Sequence, residues 1–277
     1  MLRIMAERCT SQDMTSTLNA HTIKHRAAVG AAAAFLLLLV RHSAAADIRV
    51  CSGGAPQEVL RILAPEFEKQ AGHRVSFTFA LVTEIERKLA AGERADVVLL
   101  PDPLLSALEK TIPLRPEGRS VLARTGIGVI VRTGSKAPDI STAEAVRKTL
   151  LAADRIALPA ASVPSGRHLT RVFKDLGIAD AIEPKLLFKP AIEGGAGLVA
   201  NGQADVGLYL VSEVRKVKEV TVIGLLPHPF QNFIVYGAAV PVHSFEPDAG
   251  LAFIRFISDA THRDRWQATG FELDGTR

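Results

Sequence analysis

The chain has 277 residues, with 33 Lys or Arg, 29 Asp or Glu and a sequence pI of about 9.2. Five of these basic residues and two of the acidic ones lie in the first 46 residues, so the remaining 231 residues carry 28 basic against 27 acidic side chains. A nearly neutral chain of this length can build one large domain or two small ones. It offers no basic surface for nucleic acid or for strong membrane-surface binding.

The first predicted element is a secretory signal peptide over residues 1–46. Basic residues at 24–26 precede an apolar run at 27–40, and residues 44–46 form a cleavage site of small residues. A membrane-spanning helix needs about 20 apolar residues, so the short run favours cleavage after Ala46. An uncleaved anchor is the alternative, and translation from Met14 would give a leader of more usual length. We expect a periplasmic protein in which Cys51 alone remains, without an intrachain disulfide.

Strand-like and helix-like segments alternate beyond the leader. In chain order they are strand 48–52, helix 56–71, strand 74–80, helix 83–91, strand 96–100, helix 103–110, strand 129–132, helix 142–152, strand 155–158, helix 165–176, strand 185–189, helix 193–200, strand 205–210, strands 221–225 and 233–240, and helices 247–258 and 261–269. Such alternation predicts an α/β fold with mixed, mainly parallel sheets covered on both faces.

Three strand-to-helix loops are candidate parts of a ligand site, because α/β sheets bind ligands at the carboxyl ends of their strands. Unpaired N–H groups at the helix starts suit an anion. The alternative is that these residues form only tight connections and helix caps. The loops contribute Ser52, Gly53, Gly54 and Ala55; Leu81, Val82 and Thr83; and Ser162, Val163, Ser165 and Gly166.

Single side chains in and beyond these loops each have a structural and a functional interpretation. Thr83 can cap its helix with Glu86 as partner, and Ser162 and Ser165 can either cap a helix or donate to an anion. Arg124 can clamp a carboxylate or remain an exposed charge. Gly194 permits close backbone approach to a ligand but equally suits a flexible helix start. The histidines show no ligand spacing, so we expect no metal and no cofactor.

Five segments occur in a fixed order and carry a resemblance to a known family. They are ADIRV (46–50), LAPEFEKQAGHRV (63–75), AAGERADV (90–97), ASVPSGR (161–167) and NGQADVG (201–207). Together they resemble the molybdate-binding-protein-like group of periplasmic solute-binding proteins from ABC transporters, from about residue 47 to the C-terminus.

The resemblance implies two α/β lobes of the type 2 periplasmic binding fold, joined by crossings near residues 124–131 and 232–240. Lobe 1 would comprise residues 47–126 and 230–277, and lobe 2 residues 127–229. It further implies a monomer that captures a small anionic solute in the interlobe cleft and delivers it to an ABC-transporter permease in the inner membrane. Such lobes close around ligand by a hinge motion. No enzyme activity and no nucleic-acid partner are expected.

The residues that hold molybdate in that family are not retained here. The first-loop serine aligns with Ala55, the second-loop serines with Leu81 and Val82, and the lobe-2 tyrosine with Leu210, one residue after Tyr209. Each lost hydrogen bond costs on the order of 1 kcal/mol. We therefore expect an organic acid or another non-molybdate anion.

Three alternatives to this function stay open. The protein could be a genuine molybdate or tungstate binder, or a periplasmic ligand sensor that is not coupled to transport. An exported hydrolase or transferase is the competing enzyme class. The sequence contains no Gly-x-Ser-x-Gly, His-Glu-x-x-His or P-loop motif, although distant carboxylates could still converge into an acid–base site.

Overall fold

The structure, a computed structural model, describes residues 45–273. The predicted signal peptide, up to residue 44, lies outside the described residues. Within residues 45–273, no helix is long and apolar enough to span a bilayer.

Two five-stranded mixed sheets organise the described chain. The first sheet has the order β2-β1-β3-β10-β4, and the second has the order β7-β6-β8-β5-β9. In each sheet one strand, β10 or β5, runs against the other four. The strands are β1 (Asp47–Ser52), β2 (Arg74–Phe79), β3 (Val97–Pro101), β4 (Ser120–Thr125), β5 (Ile127–Arg132), β6 (Ile156–Leu158), β7 (Leu186–Phe188), β8 (Val206–Leu210), β9 (Val220–Leu225) and β10 (Ile234–Ala239). The predicted α/β class with mainly parallel sheets is confirmed.

Helices connect the parallel strands. They are α1 (Gln57–Ala71), α2 (Val82–Ala90), α3 (Asp102–Leu108), α4 (Ala143–Ala152), α5 (Pro164–Asp175), α6 (Ala179–Ile182), α7 (Gly195–Ala200), α8 (Val211–Val214), α9 (Pro247–Ile257) and α10 (Arg263–Ala268). Short 3-10 turns occur at Pro116–Gly118, Glu183–Lys185, Ala191–Glu193 and Ala260–His262.

Helix α1 shows how the apolar pattern fixes the packing. Val59, Leu63 and Phe67 recur at helical spacing and are almost fully buried. The ring of Phe67 packs edge-on against that of Phe253 on α9, with 5.1 Å between centroids. Gly72 ends the helix with a φ of 73°, a left-handed conformation that glycine adopts without strain.

The chain changes sheet twice. It leaves the first sheet at Gly126, between β4 and β5, and returns between β9 and β10. Gln231 joins the two crossings, because its Oε1 accepts from the Ile127 N–H at 2.9 Å and its Nε2 donates to the Ile127 carbonyl at 3.0 Å.

Several element predictions need correction. Strand β4 and the short helices α6 and α8 were not predicted, and β5 begins two residues before residue 129. Helix α2 begins at Val82 rather than at Thr83. Its N-cap is Leu81, which has the extended backbone typical of that position, so Thr83 lies inside the helix and does not cap it.

Candidate functional site

A cavity lies between loops and strand ends of the two sheets. The space in it that is open to a water-sized sphere is about 40 Å³, so the two walls lie close together. The first sheet supplies one wall, called the first-sheet wall, which comprises Gly54, Ala80, Leu81, Val82, Pro101, Ile234 and Tyr236. The second sheet supplies the second-sheet wall, which comprises Pro159, Val163, Pro164, Ser165, Pro190, Ala191, Ile192, Leu210 and Glu213.

Each wall contains the start of a helix without a side-chain cap. The N-cap of α2 is Leu81 and the N-cap of α5 is Val163, and neither has a side chain that could accept from the first turn. Within residues 45–273, the amides of Val82 and Thr83 on α2 and those of Ser165 and Gly166 on α5 have no acceptor. Unpaired amides and the helix dipole favour a negatively charged group at both positions.

Gly53 and Gly54 let the two walls approach closely. A Cβ atom built on Gly54 would lie 3.3 Å from Oε1 of Glu213 and 3.3 Å from Cβ of Ile192, both on the second-sheet wall. A Cβ built on Gly53 would lie 2.9 Å from Cγ1 of Val82. The glycine pair is therefore more than a tight turn, because a side chain at residue 54 would hold the walls apart.

Three polar side chains belong to residues that line this largely apolar cavity. Ser165 and Tyr236 are almost fully buried, and Glu213 is half-buried. The side chains of all three lack a hydrogen-bond partner within the described chain, although the hydroxyl of Tyr236 and the carboxyl of Glu213 both reach the loop at Gly53 and Gly54. They are available to a ligand.

Burial dominates the electrostatics of this group. It raises the pKa of the Glu213 carboxyl to about 7. Burial, and then the negative charge of Glu213, raise the pKa of Tyr236 well above its usual value. No Lys, Arg or His is among the lining residues, so backbone amides supply the positive potential. No group of three or more His, Cys, Asp or Glu residues suited to a metal occurs between residues 45 and 273.

The structure brings five of the predicted site residues to the cavity. They are Gly54, Leu81, Val82, Val163 and Ser165, and Gly53 adjoins them.

The other predicted residues lie elsewhere. Ser52 is buried, and its hydroxyl donates to the Gly53 carbonyl at 3.0 Å. Ala55 lies in the hydrophobic core, and Gly166 packs closely against the Ala160 carbonyl.

Four further predicted residues also lie outside the lining. Ser162 is exposed, and Gly194 has a φ of 86° at the N-cap of α7. Arg124 forms an ion pair with Glu272 at 3.1 Å instead of facing the cavity. Tyr209 is buried and donates to the Lys189 carbonyl at 3.0 Å, whereas the next residue, Leu210, lines the cavity. The alternation of side chains along a strand explains this difference.

The most informative missed residues are Glu213 and Tyr236. Glu213 lies three residues after the end of β8, in a short helix that has no periodic signal. Tyr236 lies on the return strand β10, which is more than 150 residues from the Gly53 loop that its hydroxyl approaches. A signal for Glu213 is its place just beyond a buried strand, the position that also defines the three predicted loops.

Comparisons with known proteins agree with this architecture. The family profile described as "Bacterial extracellular solute-binding protein" matches residues 48–272. The chain belongs to that family. It is 30% identical to an aconitate isomerase from Pseudomonas sp over 76% of this chain and 82% of that protein. It is 26% identical to a molybdate-binding protein of Escherichia coli (strain K12), over 87% of this chain and 96% of that one.

A solved structure gives the same fold. The periplasmic molybdate-binding protein of Azotobacter vinelandii superposes with a TM-score of 0.69 at 18% identity, over 82% of this chain and all of that one. The predicted resemblance to the molybdate-binding-protein-like group is thus confirmed, together with the two-lobe periplasmic binding fold.

Proposed function

We propose that this chain is a periplasmic solute-binding protein that captures a small organic acid in the cavity and delivers it to an ABC-type permease. Residues 47–126 with 230–277 would form one lobe and residues 127–229 the other. The lobes of a monomer would close by rotation about the two crossings. The leader predicted at residues 1–46 would direct the chain across the inner membrane.

One observation carries this proposal: uncapped helix starts on opposite walls of a largely apolar cavity. Two sets of free amides favour a negatively charged group, and the apolar residues between them favour a ligand with a carbon skeleton. Leu81 and Val82 occupy positions where the molybdate-binding group has serines, so hydroxyl donors for a tetrahedral oxyanion are few. A carboxylate with a short carbon skeleton matches both properties.

A thermal-shift screen tests the proposal. Purified residues 47–277 are heated with fumarate, lactate, succinate, trans-aconitate, molybdate, tungstate and sulfate. Because a ligand that binds only the folded protein raises the melting temperature, we expect a shift of several degrees with at least one carboxylate. Tight binding of molybdate with no response to carboxylates would contradict the organic-acid assignment and favour a molybdate carrier.

A second candidate function is the proton-transfer isomerisation of an unsaturated carboxylic acid, the kind of compound that the Pseudomonas relative is named for. Glu213 favours it, because isomerisation needs a base near the bound acid, and this carboxyl lies in the cavity unpaired. Glu213 would take a proton from a saturated carbon next to the double bond. The electron pair of that C–H bond would form a new double bond, and the former double bond would take up a proton at its far end from Glu213, which exchanges its proton with solvent.

Deuterium exchange distinguishes an isomerase from a pure binder. The protein is incubated with cis- or trans-aconitate in D₂O and followed by proton NMR. Isomerase activity predicts interconversion of the two with deuterium uptake at carbon, and its loss in Glu213→Gln. Binding without either change would exclude this second candidate.

A further inference from the structure

Glu213 is an unusual residue to find in a cavity that attracts anions. It lies on α8, and its Oε1 lies so close to Gly54 that a Cβ there would be 3.3 Å away. Its carboxyl makes no hydrogen bond or ion pair within residues 45–273. An ionised carboxylate here would repel the carboxylate of a ligand at close range, and the largely apolar lining weakens the screening of that repulsion by water.

The groups around Glu213 do not hold it ionised. The elements packed near it carry Tyr209 on β8, Tyr236 on β10, Lys189 and Glu193 around the 3-10 turn, Glu58 on α1, and Arg215 and Lys216 next to it in sequence. Of these, the two tyrosines are influenced by its charge, and no cation contributes to its pKa. Lys216 is directed to Glu58, with 3.4 Å between Nζ and Oε2. The carboxyl therefore titrates near neutrality because it is buried.

We propose that the cavity binds its organic-acid ligand together with one proton, which Glu213 holds and donates to a ligand oxygen. This inference rests on the proposed function. The protonated carboxyl becomes a donor, and an O–H donor to a carboxylate makes one of the stronger hydrogen bonds available to a protein. Ser165 and Tyr236 supply further hydroxyls. The site would thus take up a carboxylate without a basic side chain, as a neutral pair of anion and proton.

The coupling has a direct consequence for affinity. Below pH 6 Glu213 is already protonated, so binding needs no further proton and affinity is constant. Above pH 7 each bound ligand must bring a proton, and affinity falls about tenfold per pH unit. Between pH 6 and pH 8.5 the total loss is on the order of 30-fold for a carboxyl of this pKa.

Isothermal titration calorimetry tests the inference with fumarate, lactate and trans-aconitate at pH 6.0, 7.0 and 8.5. Each pH uses two buffers of different ionisation enthalpy, and the ligand's own protonation is subtracted. The wild type should take up close to one proton per ligand at pH 8.5 and almost none at pH 6.0. Glu213→Gln keeps an amide donor, so it should bind within a few-fold of the wild-type affinity at pH 6.0 without proton uptake or pH dependence.

Glu193→Gln is the matched control, because Glu193 is exposed and does not line the cavity. It should retain the wild-type proton uptake. Binding at pH 8.5 without proton uptake, or an unchanged pH slope in Glu213→Gln, would overturn the proton coupling and leave the proposed function intact. Failure of all three carboxylates to bind at any pH would instead remove the proposed function, and this inference with it. Net proton release on carboxylate binding would likewise overturn the inference.

Discussion

The two walls of the cavity share a plan and differ in one chemical group. Each wall joins the carboxyl ends of parallel strands to an uncapped helix start, α2 on the first-sheet wall and α5 on the second-sheet wall. Only the second-sheet wall carries a side chain that titrates near neutrality, Glu213. In the proposed function the shared helix starts would attract an anion, and Glu213 would set the pH at which the anion binds.

The largest expected effect is at Glu213, on the second-sheet wall. An exposed Glu ionises near pH 4.5, whereas folded Glu213 ionises near pH 7. Between these values only the unfolded state releases the proton, so the free energy of unfolding falls as pH rises. Above pH 7 the raised pKa of Glu213 lowers the free energy of unfolding by its full amount, up to about 3 kcal/mol for a shift of this size. Urea unfolding of wild type and Glu213→Gln at pH 5 and pH 8 measures it.

In that experiment the wild type should lose more stability than Glu213→Gln between the two pH values. Glu193→Gln, at an exposed neighbouring position, should follow the wild type. Parallel stability curves for all three proteins would show that Glu213 is ionised at little cost in the folded protein.

The substitution Leu81→Asp tests the role of the uncapped helix starts. An aspartate at this N-cap accepts from the amides of the first turn of α2 and places its own charge where the ligand carboxylate would lie. Stability should be kept or raised, while carboxylate affinity falls on the order of 50-fold, or about 2 kcal/mol. Calorimetry with the best carboxylate measures the loss. Ser162→Asp adds the same charge at an exposed position outside the lining, and equal losses in both variants would indicate a general charge effect.

The close approach of the walls is tested by Gly54→Ala. The added methyl group would lie 3.3 Å from Glu213 and Ile192, closer than ordinary van der Waals contact, so the walls must separate slightly. We expect a loss of affinity of roughly three- to tenfold with little change in melting temperature. Gly197→Ala is the control, because nothing lies within 4 Å of its Cβ position and alanine favours the helix. Wild-type affinity in Gly54→Ala would show that closure does not depend on the glycine.

The smallest effect is expected at the ion pair between Lys216 and Glu58. It joins the segment just after α8 to α1, with 3.4 Å between Nζ and Oε2, and both side chains are more than a third exposed. Solvent screens such pairs, so Lys216→Ala should weaken ligand affinity by no more than about fivefold. High salt should reduce the wild-type affinity by a similar factor. A much larger loss would mean that the pair controls closure.

The fold was largely predictable because its determinants are local. Helix α1 has an apolar stripe and a closing glycine, and β3 is a short apolar run that ends at a proline. Strand β4 was missed because its sequence, SVLART, shows no alternation of polar and apolar residues and so gave only a weak strand pattern. Helix α8 was missed because four residues are too few to show helical periodicity.

The site was only half predictable, for a related reason. Backbone features such as the uncapped starts of α2 and α5 follow from strand–loop–helix order. Glu213 and Tyr236 line the same cavity because β10 returns to the first sheet and α8 lies against the loop at Gly53 and Gly54. No local sequence pattern predicts this arrangement. The assignment of Tyr209 depended on an alignment offset of one residue, and on a strand one residue decides which face a side chain occupies.

The return of β10 also imposes an order of assembly. The second sheet is drawn from one uninterrupted stretch, Ile127 to Leu225, whereas β3 and β4 of the first sheet have no neighbour between them until Ile234–Ala239 is available. During synthesis the second sheet, next to Glu213, can complete its hydrogen bonds first. At that stage β3 and β4 of the first sheet still lack β10 and keep unpaired edges. A truncation before residue 234 would therefore leave unpaired edges exposed to aggregation, which makes about the last sixth of the chain a requirement for solubility as well as for binding.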